Sequence, residues 1–331
     1  MHNYKRIWNQ TSKLPWCVLV TTGRVGSDFF QSLLDSHPEI FVFNGVLRIN
    51  DFWDNSYTTQ YNTEYNIDDV INEFIGKNIV KFKSIYDLEE RKNELGENRN
   101  ESININIDEY KKHLKKFLNL EPLTSKTLLR AIYLSWAIYQ NQDISRKKLF
   151  FHHLHHIWKL DSYLKDYPDS KIISMTRDPR ASYVSGVENW NNYKKSSNHP
   201  SHTFFVLNRT IEDASYLKTL KNEFRVLKLE DLGSKIVLER FCSWANVSFN
   251  KCMLHSSWNG LRWWGDKLST NKIQKNETGF SPSINKNKWK KKLGFIEKSL
   301  LNFLLYNRLN WYGYESIKKS NLIFALPMFL L

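Results

Sequence analysis

Two stretches of the chain combine arginine, glycine and hydroxyl residues in a way that suits anion binding. The first is segment 22–28, Thr-Gly-Arg-Val-Gly-Ser-Asp, which lies between an apolar run at 16–20 and an amphipathic run at 29–34. This order predicts a strand, a glycine-bearing turn and a helix. Backbone N–H groups and the positive end of the helix dipole then converge where a phosphate or sulfate would bind. Arg24 adds a positive charge that persists at neutral pH.

The spacing of the glycines distinguishes this turn from a Walker A loop. That loop has four residues between its glycines and ends in Gly-Lys followed by Ser or Thr. Here only two residues separate Gly23 from Gly26, and no lysine follows. Triphosphate chemistry is therefore disfavoured. Taken alone, a Gly-x-x-Gly turn is equally compatible with an ordinary tight connection between a strand and a helix.

The second stretch follows another predicted strand, at 171–177. Pro179 suits the first turn of a helix, and Asp178 before it suits the N-cap. Arg177 should therefore stand at the carboxyl end of the strand, with Ser185 two turns into the helix. Ligands of open α/β sheets bind beyond these ends, so the pair predicts a second phosphate site. The alternative is that Arg177 pairs with an acidic neighbour and that Ser185 is only a small helix residue.

Together, the two stretches resemble the cofactor motifs of the sulfotransferases that use 3′-phosphoadenosine 5′-phosphosulfate (PAPS). The first resembles the loop for the 5′-phosphosulfate, and the second, with eight residues from Arg177 to Ser185, resembles the 3′-phosphate site. Two later segments agree: 224–232, which ends in Glu-Asp-Leu, and 288–293, a basic Trp-Lys segment. Arginine at position 24 is similar to the carbohydrate-type members, since the cytosolic small-molecule enzymes carry lysine there.

The resemblance implies a three-layer α/β/α fold with a central parallel sheet, similar to that of P-loop NTPases. It also implies transfer of the sulfuryl group of PAPS to an acceptor hydroxyl on a carbohydrate or glycoconjugate, with PAP as product and no metal required. The residues it assigns to donor binding are Thr22, Gly23, Arg24, Val25, Gly26, Ser27, Asp28, Arg177, Ser185, Trp289 and Lys290. Arg24 is also expected to act in catalysis by stabilising charge on the leaving phosphate. Asp28 places a carboxylate near this anion and is expected to point away or to meet the acceptor.

Four histidines lie within five residues near the predicted strand 148–153: His152, His153, His155 and His156. In a strand, His153 and His155 share one face, as do His152 and His156. A metal site is disfavoured because no cysteine or carboxylate lies nearby at ligand spacing. The family has a catalytic base in a Lys-Thr-His-Leu segment here, and its match to Phe-His-His-Leu makes His153 the base and His155 the second choice. Histidine suits this role because it titrates near working pH.

The composition suits a globular protein with an anionic partner. The chain has 331 residues, 41% of them hydrophobic, and a net charge of +14. This is enough for a sizeable core and argues against disorder. The charge implies acidic partners, but no DNA or RNA recognition motif appears, so nucleic acid is not expected. Three cysteines do not make a disulfide framework and favour a reducing compartment.

The sequence shows no signal peptide and no membrane span, so a cytoplasmic location is expected. The first fifteen residues lack an apolar core, and no window reaches the roughly 18 apolar residues of a span. The last ten residues, 322–331, are nearly all apolar. Docking of this tail against the core is the favoured interpretation. A peripheral membrane contact, which would make the protein membrane-associated, is the second.

Strands alternating with helices predict a parallel sheet covered on both faces. The predicted strands are 16–22, 39–43, 148–153, 171–177 and 224–229. The predicted helices are 27–36, 108–120, 125–141, 157–166, 179–190, 202–221, 233–245 and 295–309. Residues 1–331 are interpreted as a single domain with a mainly helical insertion at 45–147. This insertion either supplies the acceptor pocket or only covers the sheet.

Two other functions compete with sulfuryl transfer. A nucleotide-dependent kinase with a degenerate loop predicts Mg²⁺-dependent ATP binding, but the Gly-Lys-Ser/Thr ending is missing. A non-catalytic polyanion-binding protein fits the charge and the 12 Trp, 16 Tyr and 20 Phe residues, although these aromatic residues are dispersed. Three of them, Trp258, Trp263 and Trp264, either stack on sugar rings or pack in the core.

Overall fold

Five parallel strands form the central sheet, in the order β2-β3-β1-β4-β5. The computed structural model describes residues 3–21, 23–43, 45–57, 65–83, 95–194, 206–208, 210, 220–265 and 288–315. The strands of the sheet are β1 (Trp16–Thr21), β2 (Ile40–Val42), β3 (Leu149–His156), β4 (Lys171–Thr176) and β5 (Phe224–Lys228). All five predicted strands are confirmed. The largest difference is at β3, which continues to His156 instead of ending at 153.

Helices cover both faces of the sheet. They are α1 (Tyr4–Thr11), α2 (Ser27–Leu34), α3 (Ile49–Ser56), α4 (Ile67–Lys77), α5 (Ile79–Phe82), α6 (Ile107–Leu118), α7 (Ser125–Tyr139), α8 (Leu160–Asp166), α9 (Pro179–Lys194), α10 (Lys235–Ala245), α11 (Phe295–Leu304) and α12 (Tyr306–Trp311). The predicted helix over 157–166 begins with a 3-10 turn, and that over 295–309 is divided at Leu305. Most of the predicted helix 202–221 lies outside the described residues.

Sequence patterns did not predict several short elements. Helix α1 buries only Ile7, Trp8 and Thr11, and α3 lies in a segment rich in Asp and Asn. Helix α4 buries Val70, Ile71, Phe74 and Ile75 at helical spacing, a signal that the sequence analysis missed. The hairpin of β6 (Ser257–Trp258) and β7 (Leu261–Arg262) turns at Asn259-Gly260, where φ is +52° and +76°. An Asn-Gly pair with positive φ at both residues is a common two-residue hairpin turn.

Alternate residues of the central strand β1 face two separate hydrophobic cores. Val18 and Val20 contribute to a core that includes α6 and α7. Cys17 and Leu19 contribute to a second core that includes α2 and α10. Burial on both faces explains why the strand is an unbroken apolar run. The molecule therefore has the expected three-layer α/β/α architecture.

The strand order creates a crevice between β1 and β4. From β1 the chain continues to β2 at one edge of the sheet, whereas from β4 it continues to β5 at the opposite edge. In α/β sheets, ligands bind where neighbouring strands diverge in this way, outside their carboxyl ends. Thr21, the last residue of β1, pairs with Met175 near the end of β4. Segments 23–28 and 177–185 therefore leave the sheet side by side.

In the sequence, helices α3 to α7 come after β2 and before β3, within the predicted insertion 45–147. Helices α6 and α7 pack together, and Tyr110 on α6 donates a hydrogen bond to the carbonyl of Ile132 (3.1 Å). Tyr133 on α7 donates to the carbonyl of Phe151 in β3 (3.0 Å) and so attaches this layer to the sheet. A role for the insertion in acceptor binding stays a prediction.

Over the part of the chain that the structure describes, no helix is both long enough and apolar enough to cross a membrane. The apolar tail 322–331 lies outside that part.

Candidate active site

The turn after β1 is built from left-handed backbone. Gly23, Arg24 and Gly26 have φ of +100°, +53° and +81°. Glycine accepts this conformation at little cost, which accounts for both glycines of the motif. The N–H of Gly23 donates to Oγ1 of Thr21 (2.9 Å), and Gly26 is the N-cap of α2. The positive end of α2 therefore lies at the carboxyl edge of the sheet.

The side chains of this turn divide between core and solvent. Val25 and Ser27 are buried, whereas Arg24 is exposed at the crevice. Val25 belongs to the core beneath α2 and anchors the turn. Thr22 lies outside the described residues. Exposed Arg24 and the first N–H groups of α2 therefore both lie in the turn at the carboxyl edge of the sheet.

Asp178 caps helix α9, as predicted. Its Oδ1 accepts the backbone N–H of Arg180 (3.0 Å), and its own N–H donates to Oε1 of Glu230 (2.9 Å). Glu230 lies in a 3-10 turn directly after β5, and its Oε2 accepts the hydroxyl of Tyr314 (3.0 Å). The carboxylate of Glu230 therefore joins the ends of β4 and β5. Because Arg177 directly precedes Asp178, this link positions Arg177 at the crevice.

The two arginines of the motifs lie close enough to influence each other. Burial lowers the pKa of Arg177 below its ordinary value, Glu230 and Asp178 oppose this, and the positive charge of Arg24 adds to it. A Cβ atom built on Gly186, the residue after half-buried Ser185, would lie 3.8 Å from Cγ of Arg24. The first loop thus contacts α9 beside Ser185. The structure brings the two predicted anion sites together in one crevice.

Trp289 and Lys290 occupy different environments. Trp289 is buried, and the guanidinium of Arg180 lies 4.2 Å from its ring centroid. Arg180 also binds both carboxylate oxygens of Asp178 and donates to Oδ1 of Asn302 (2.7 Å). Lys290 is exposed, with its Nζ 3.3 Å from Oε2 of Glu315. Trp289 therefore supports the start of α9 through Arg180, and the contact of both residues with the donor stays a prediction.

Two of the four histidines, His152 and His156, stack on neighbouring aromatic rings. His152 is fully buried, stacks on Tyr163 and lies 3.2 Å from the hydroxyl of Tyr133. Burial lowers its pKa to about 3, so it is neutral near pH 7. His156 lies with Nε2 3.0 Å from Nη2 of Arg48 and stacks on Trp158, whose ring is 42% exposed.

His153 and His155 are in contact at the end of β3. Nε2 of His153 lies 3.2 Å from Nδ1 of His155. Nδ1 of His153 lies 2.7 Å from Oε1 of Gln31 and 3.6 Å from Oδ1 of Asp28. The sequence left two directions open for Asp28, and the structure places its carboxylate beside His153. A bulge at Leu154 interrupts the register with β1 and gives His155 a φ of +74°.

Sequence analysis missed Gln31, Glu230 and Arg48. Gln31 follows Asp28 by three residues on α2. This spacing places both side chains on one face of a helix, so the sequence could have predicted that Gln31 lies beside Asp28. Glu230 belongs to the recognised Glu-Asp-Leu segment but had no assigned role. Arg48 carried no signal, because only the return of the chain after β2 brings it to His156.

Among the residues that the structure describes, no group of three or more His, Cys, Asp or Glu residues could hold a metal ion.

Three buried tryptophans resolve an alternative that the sequence left open. Trp258, Trp263 and Trp264 are all buried, and the indole N–H of Trp264 donates to the carbonyl of Gly96 (2.6 Å). Trp258 and Trp263 stack edge to face as part of the larger core. Core packing is therefore their role.

The sheet order and the crevice define a P-loop-like α/β protein. More particularly, the chain has the fold of sulfotransferase domains. It resembles the sulfotransferase domain from the curacin biosynthetic pathway, with a TM-score of 0.53 and 18% identity over 92% of this chain and 99% of that one. The sulfotransferase domain of the Synechococcus PCC 7002 olefin synthase has a TM-score of 0.46 and 14% identity over 92% of this chain and 96% of its own. No family model and no curated protein sequence matches the chain. The predicted fold is confirmed.

Proposed function

We propose that this protein is a sulfotransferase that moves the sulfuryl group of PAPS to an acceptor hydroxyl. The observation that carries the proposal is the convergence of Arg24 and Arg177 in the crevice between β1 and β4. The charge of Arg24 disfavours the charged form of Arg177, and an anion bound at the crevice would offset this repulsion. A donor with phosphate groups at both its 3′ and 5′ positions meets this need, and the fold is one that sulfotransferase domains have.

The donor set of the crevice fits PAPS in its chemistry. The N–H groups of Gly26, Ser27 and Asp28 at the start of α2 would hold the 5′-phosphosulfate, because a helix N-terminus binds anions. Arg177 and Ser185 would hold the 3′-phosphate, which ATP lacks, and so select PAPS over ATP. When bound, PAPS supplies an activated sulfuryl group, and PAP is the product that leaves.

The remaining residues supply charge stabilisation and proton transfer. Arg24 and the N–H groups of α2 stabilise the negative charge that develops on the leaving phosphate, and losing one such donor costs roughly 10²–10³ in rate. A histidine at the end of β3, His153 or His155, accepts the proton of the acceptor hydroxyl. In this scheme, arginine and the helix dipole supply the positive charge, so no metal is required.

The acceptor class we propose is a carbohydrate or glycoconjugate. Arginine at position 24 supports it, since this residue resembles the carbohydrate-type loop. Next to the histidines, Arg48 and Trp158 flank His156, and the partly exposed Trp158 ring is an amphipathic surface of the kind that packs on sugars. We place the enzyme in the cytoplasm.

Binding of PAP tests the donor site directly. PAP should raise the melting temperature, since a ligand at 100 times its Kd stabilises the native state by about 2.7 kcal/mol. Arg177→Ala should weaken PAP by roughly tenfold to hundredfold, the value of a charged hydrogen bond. The same variant should leave the affinity for AMP unchanged, because AMP has no 3′-phosphate. Arg24→Ala should weaken the binding of both PAP and AMP. Thermal shift and calorimetry give these affinities.

Arg225→Ala is the matched control, because this arginine pairs with Glu223 on the exposed surface of β5. Stabilisation by ATP–Mg²⁺ without stabilisation by PAP would replace the proposal with the kinase alternative. Stabilisation by heparin alone would replace it with a polyanion-binding protein. For an active enzyme, Arg24→Ala and Arg177→Ala should both abolish transfer from ³⁵S-labelled PAPS to a panel of methyl glycosides and simple alcohols while the fold survives.

A further inference from the structure

The side-chain amide of Gln31 has a defined orientation. Gln31 is fully buried on α2, and its Nε2 lies 2.5 Å from the carbonyl oxygen of Phe43 and 3.4 Å from that of Gly45. A carbonyl oxygen only accepts hydrogen bonds, so the amide nitrogen must face these two groups. The acceptor atom Oε1 therefore faces His153.

This orientation determines where His153 carries its proton. Oε1 of Gln31 lies 2.7 Å from Nδ1 of His153, so Nδ1 must donate. A neutral imidazole with its proton on Nδ1 has its lone pair on Nε2. That atom lies 3.2 Å from Nδ1 of His155, from which it accepts. Both nitrogens of His153 are engaged in this chain of hydrogen bonds, and the ring has 0% exposure, so it presents no surface to an acceptor.

His155 differs from His153 in both exposure and backbone. It is half-buried, whereas His153 is fully buried. Its φ of +74° places a non-glycine residue in the left-handed region, which costs about 1–3 kcal/mol and occurs preferentially at functional sites. A bulge at Leu154 lies directly before it, where the register with β1 shifts. With the proton on Nδ1, the lone pair of His155 lies on Nε2.

We infer that His155 is the catalytic base and that His153 is a positioning residue between Gln31 and His155. This inference rests on the proposed sulfuryl transfer. As the acceptor oxygen forms its bond to sulfur, its O–H bond breaks and the proton passes to Nε2 of His155. The bond from sulfur to the 5′-phosphate oxygen breaks at the same stage, and its electron pair leaves with PAP. Gln31 and His153 hold His155 in the tautomer that has Nε2 ready for this proton.

The same geometry gives Asp28 a role. Its Oδ1 lies 3.6 Å from Nδ1 of His153, so its negative charge favours the cation that forms when the histidine pair takes up a proton. Among the described residues, Gln31 from α2 also faces the pair, as does His156 from β3, whose ring lies 4.8 Å from that of His155 and which contacts Arg48. Removing the carboxylate of Asp28 should therefore lower the pKa of the histidine pair, a change whose sign can be measured.

Histidine variants test the assignment. His155→Gln should lower kcat for transfer from PAPS to the best acceptor of the glycoside and alcohol panel by about 10²–10⁴ and leave PAP affinity unchanged. His153→Gln keeps an acceptor near the position of Nε2 and should retain more activity than His153→Leu. Asp28→Asn should move the acidic limb of the kcat/KM profile to lower pH by roughly one unit or more. His255→Gln, on an exposed histidine, is the matched control.

A readout independent of turnover completes the test. Long-range ¹H–¹⁵N correlation spectra of protein labelled at its histidines should show the Nδ1–H tautomer for both His153 and His155. A proton on Nε2 of His155, near-normal turnover in His155→Gln, or an unmoved acidic limb in Asp28→Asn would each overturn the inference. Failure of the proposed function is seen separately, in wild-type protein that neither binds PAP nor transfers sulfate from PAPS, and the base assignment would fall with it.

Discussion

Packing gives each of the four neighbouring histidines a different environment. His152 is enclosed by Tyr133 and Tyr163, and His153 is enclosed by Gln31 and His155. The same residue type therefore serves as a neutral core residue in one position and as a link in a hydrogen-bond chain in the next. Residue type alone identified the candidates, but only their neighbours separate these roles.

Buried His152 should make the fold sensitive to acid. Its pKa is about 3 in the folded protein and about 6.5 when unfolded. Below pH 6.5 the unfolded state therefore binds a proton that the folded state does not, and stability is lost as the pH falls toward 3. The loss from this group is about 2 kcal/mol between pH 7 and pH 5. Urea unfolding of wild type and His152→Phe at both pH values measures it.

The His152→Phe variant should lose less stability over this interval than wild type, and His255→Gln should behave like wild type. His37, whose pKa burial lowers to about 4, acts in the same direction, so some acid sensitivity remains in the variant. Equal slopes for wild type and His152→Phe would show that this group does not produce the effect.

At the scale of elements, the site depends on how two helices begin. Gly26 starts α2 at the end of the turn after β1, and Asp178 starts α9 two residues after β4 ends. Glu230 joins α9 to the end of β5, and Leu229 beside it packs over Gly26. The 3-10 turn after β5 therefore contacts both helix starts. A change in this turn should disturb both halves of the donor site.

Gly26→Ala tests the backbone of the first turn. A Cβ atom at this position would lie 2.5 Å from Cδ1 of Leu229, and φ is +81°. The leucine methyl is the end of a flexible side chain and can move, but left-handed backbone still costs an L-residue about 1–2 kcal/mol. We expect loss of that stability together with weaker PAP binding, because the N–H groups at the start of α2 shift. Urea unfolding and PAP calorimetry measure both.

Gly76→Ala is the control for this change. Gly76 lies near the end of α4, with no atom within 4 Å of an added Cβ, so alanine should be neutral or stabilising by up to about 1 kcal/mol. PAP affinity should stay at the wild-type value. Wild-type PAP binding in Gly26→Ala would mean that this turn does not contribute to the donor site.

At the scale of the whole molecule, the crevice between β1 and β4 and a net charge of +14 act together. The strand order brings Arg24 and Arg177 to one edge of the sheet although they lie 153 positions apart in the sequence (177 − 24). The overall charge attracts anionic ligands over a distance that salt shortens. The capture of a highly charged donor should therefore depend on ionic strength.

The association rate of PAP should fall by about tenfold or more between about 20 mM and about 500 mM NaCl. Stopped-flow measurement of tryptophan fluorescence gives this rate. Adenosine, which carries no phosphate, is the control, and its affinity should be nearly independent of salt. A PAP association rate that salt leaves unchanged would show that long-range attraction plays no part in its capture.

Local chemistry determined much of the fold from the sequence. Apolar runs bounded by turn residues identified all five strands of the sheet, and the Asp178-Pro179 pair identified the start of α9. Positive φ at Gly23 and Gly26 follows from the residue type that the turn needs. Helix α1 escaped prediction because its stability comes from distant partners, such as the contact of Trp8 with Phe117 on α6.

Only the tertiary structure decided which distant residues meet. The motifs identified Arg24, Arg177 and the histidine cluster, but the strand order placed the arginines together. The approach of α2 to the end of β3 brought Gln31 and Asp28 to His153. Periodicity, turns and caps depend on residues a few positions apart, so a sequence shows them directly. Contacts across more than a hundred residues depend on how helices and strands pack, which no local pattern encodes.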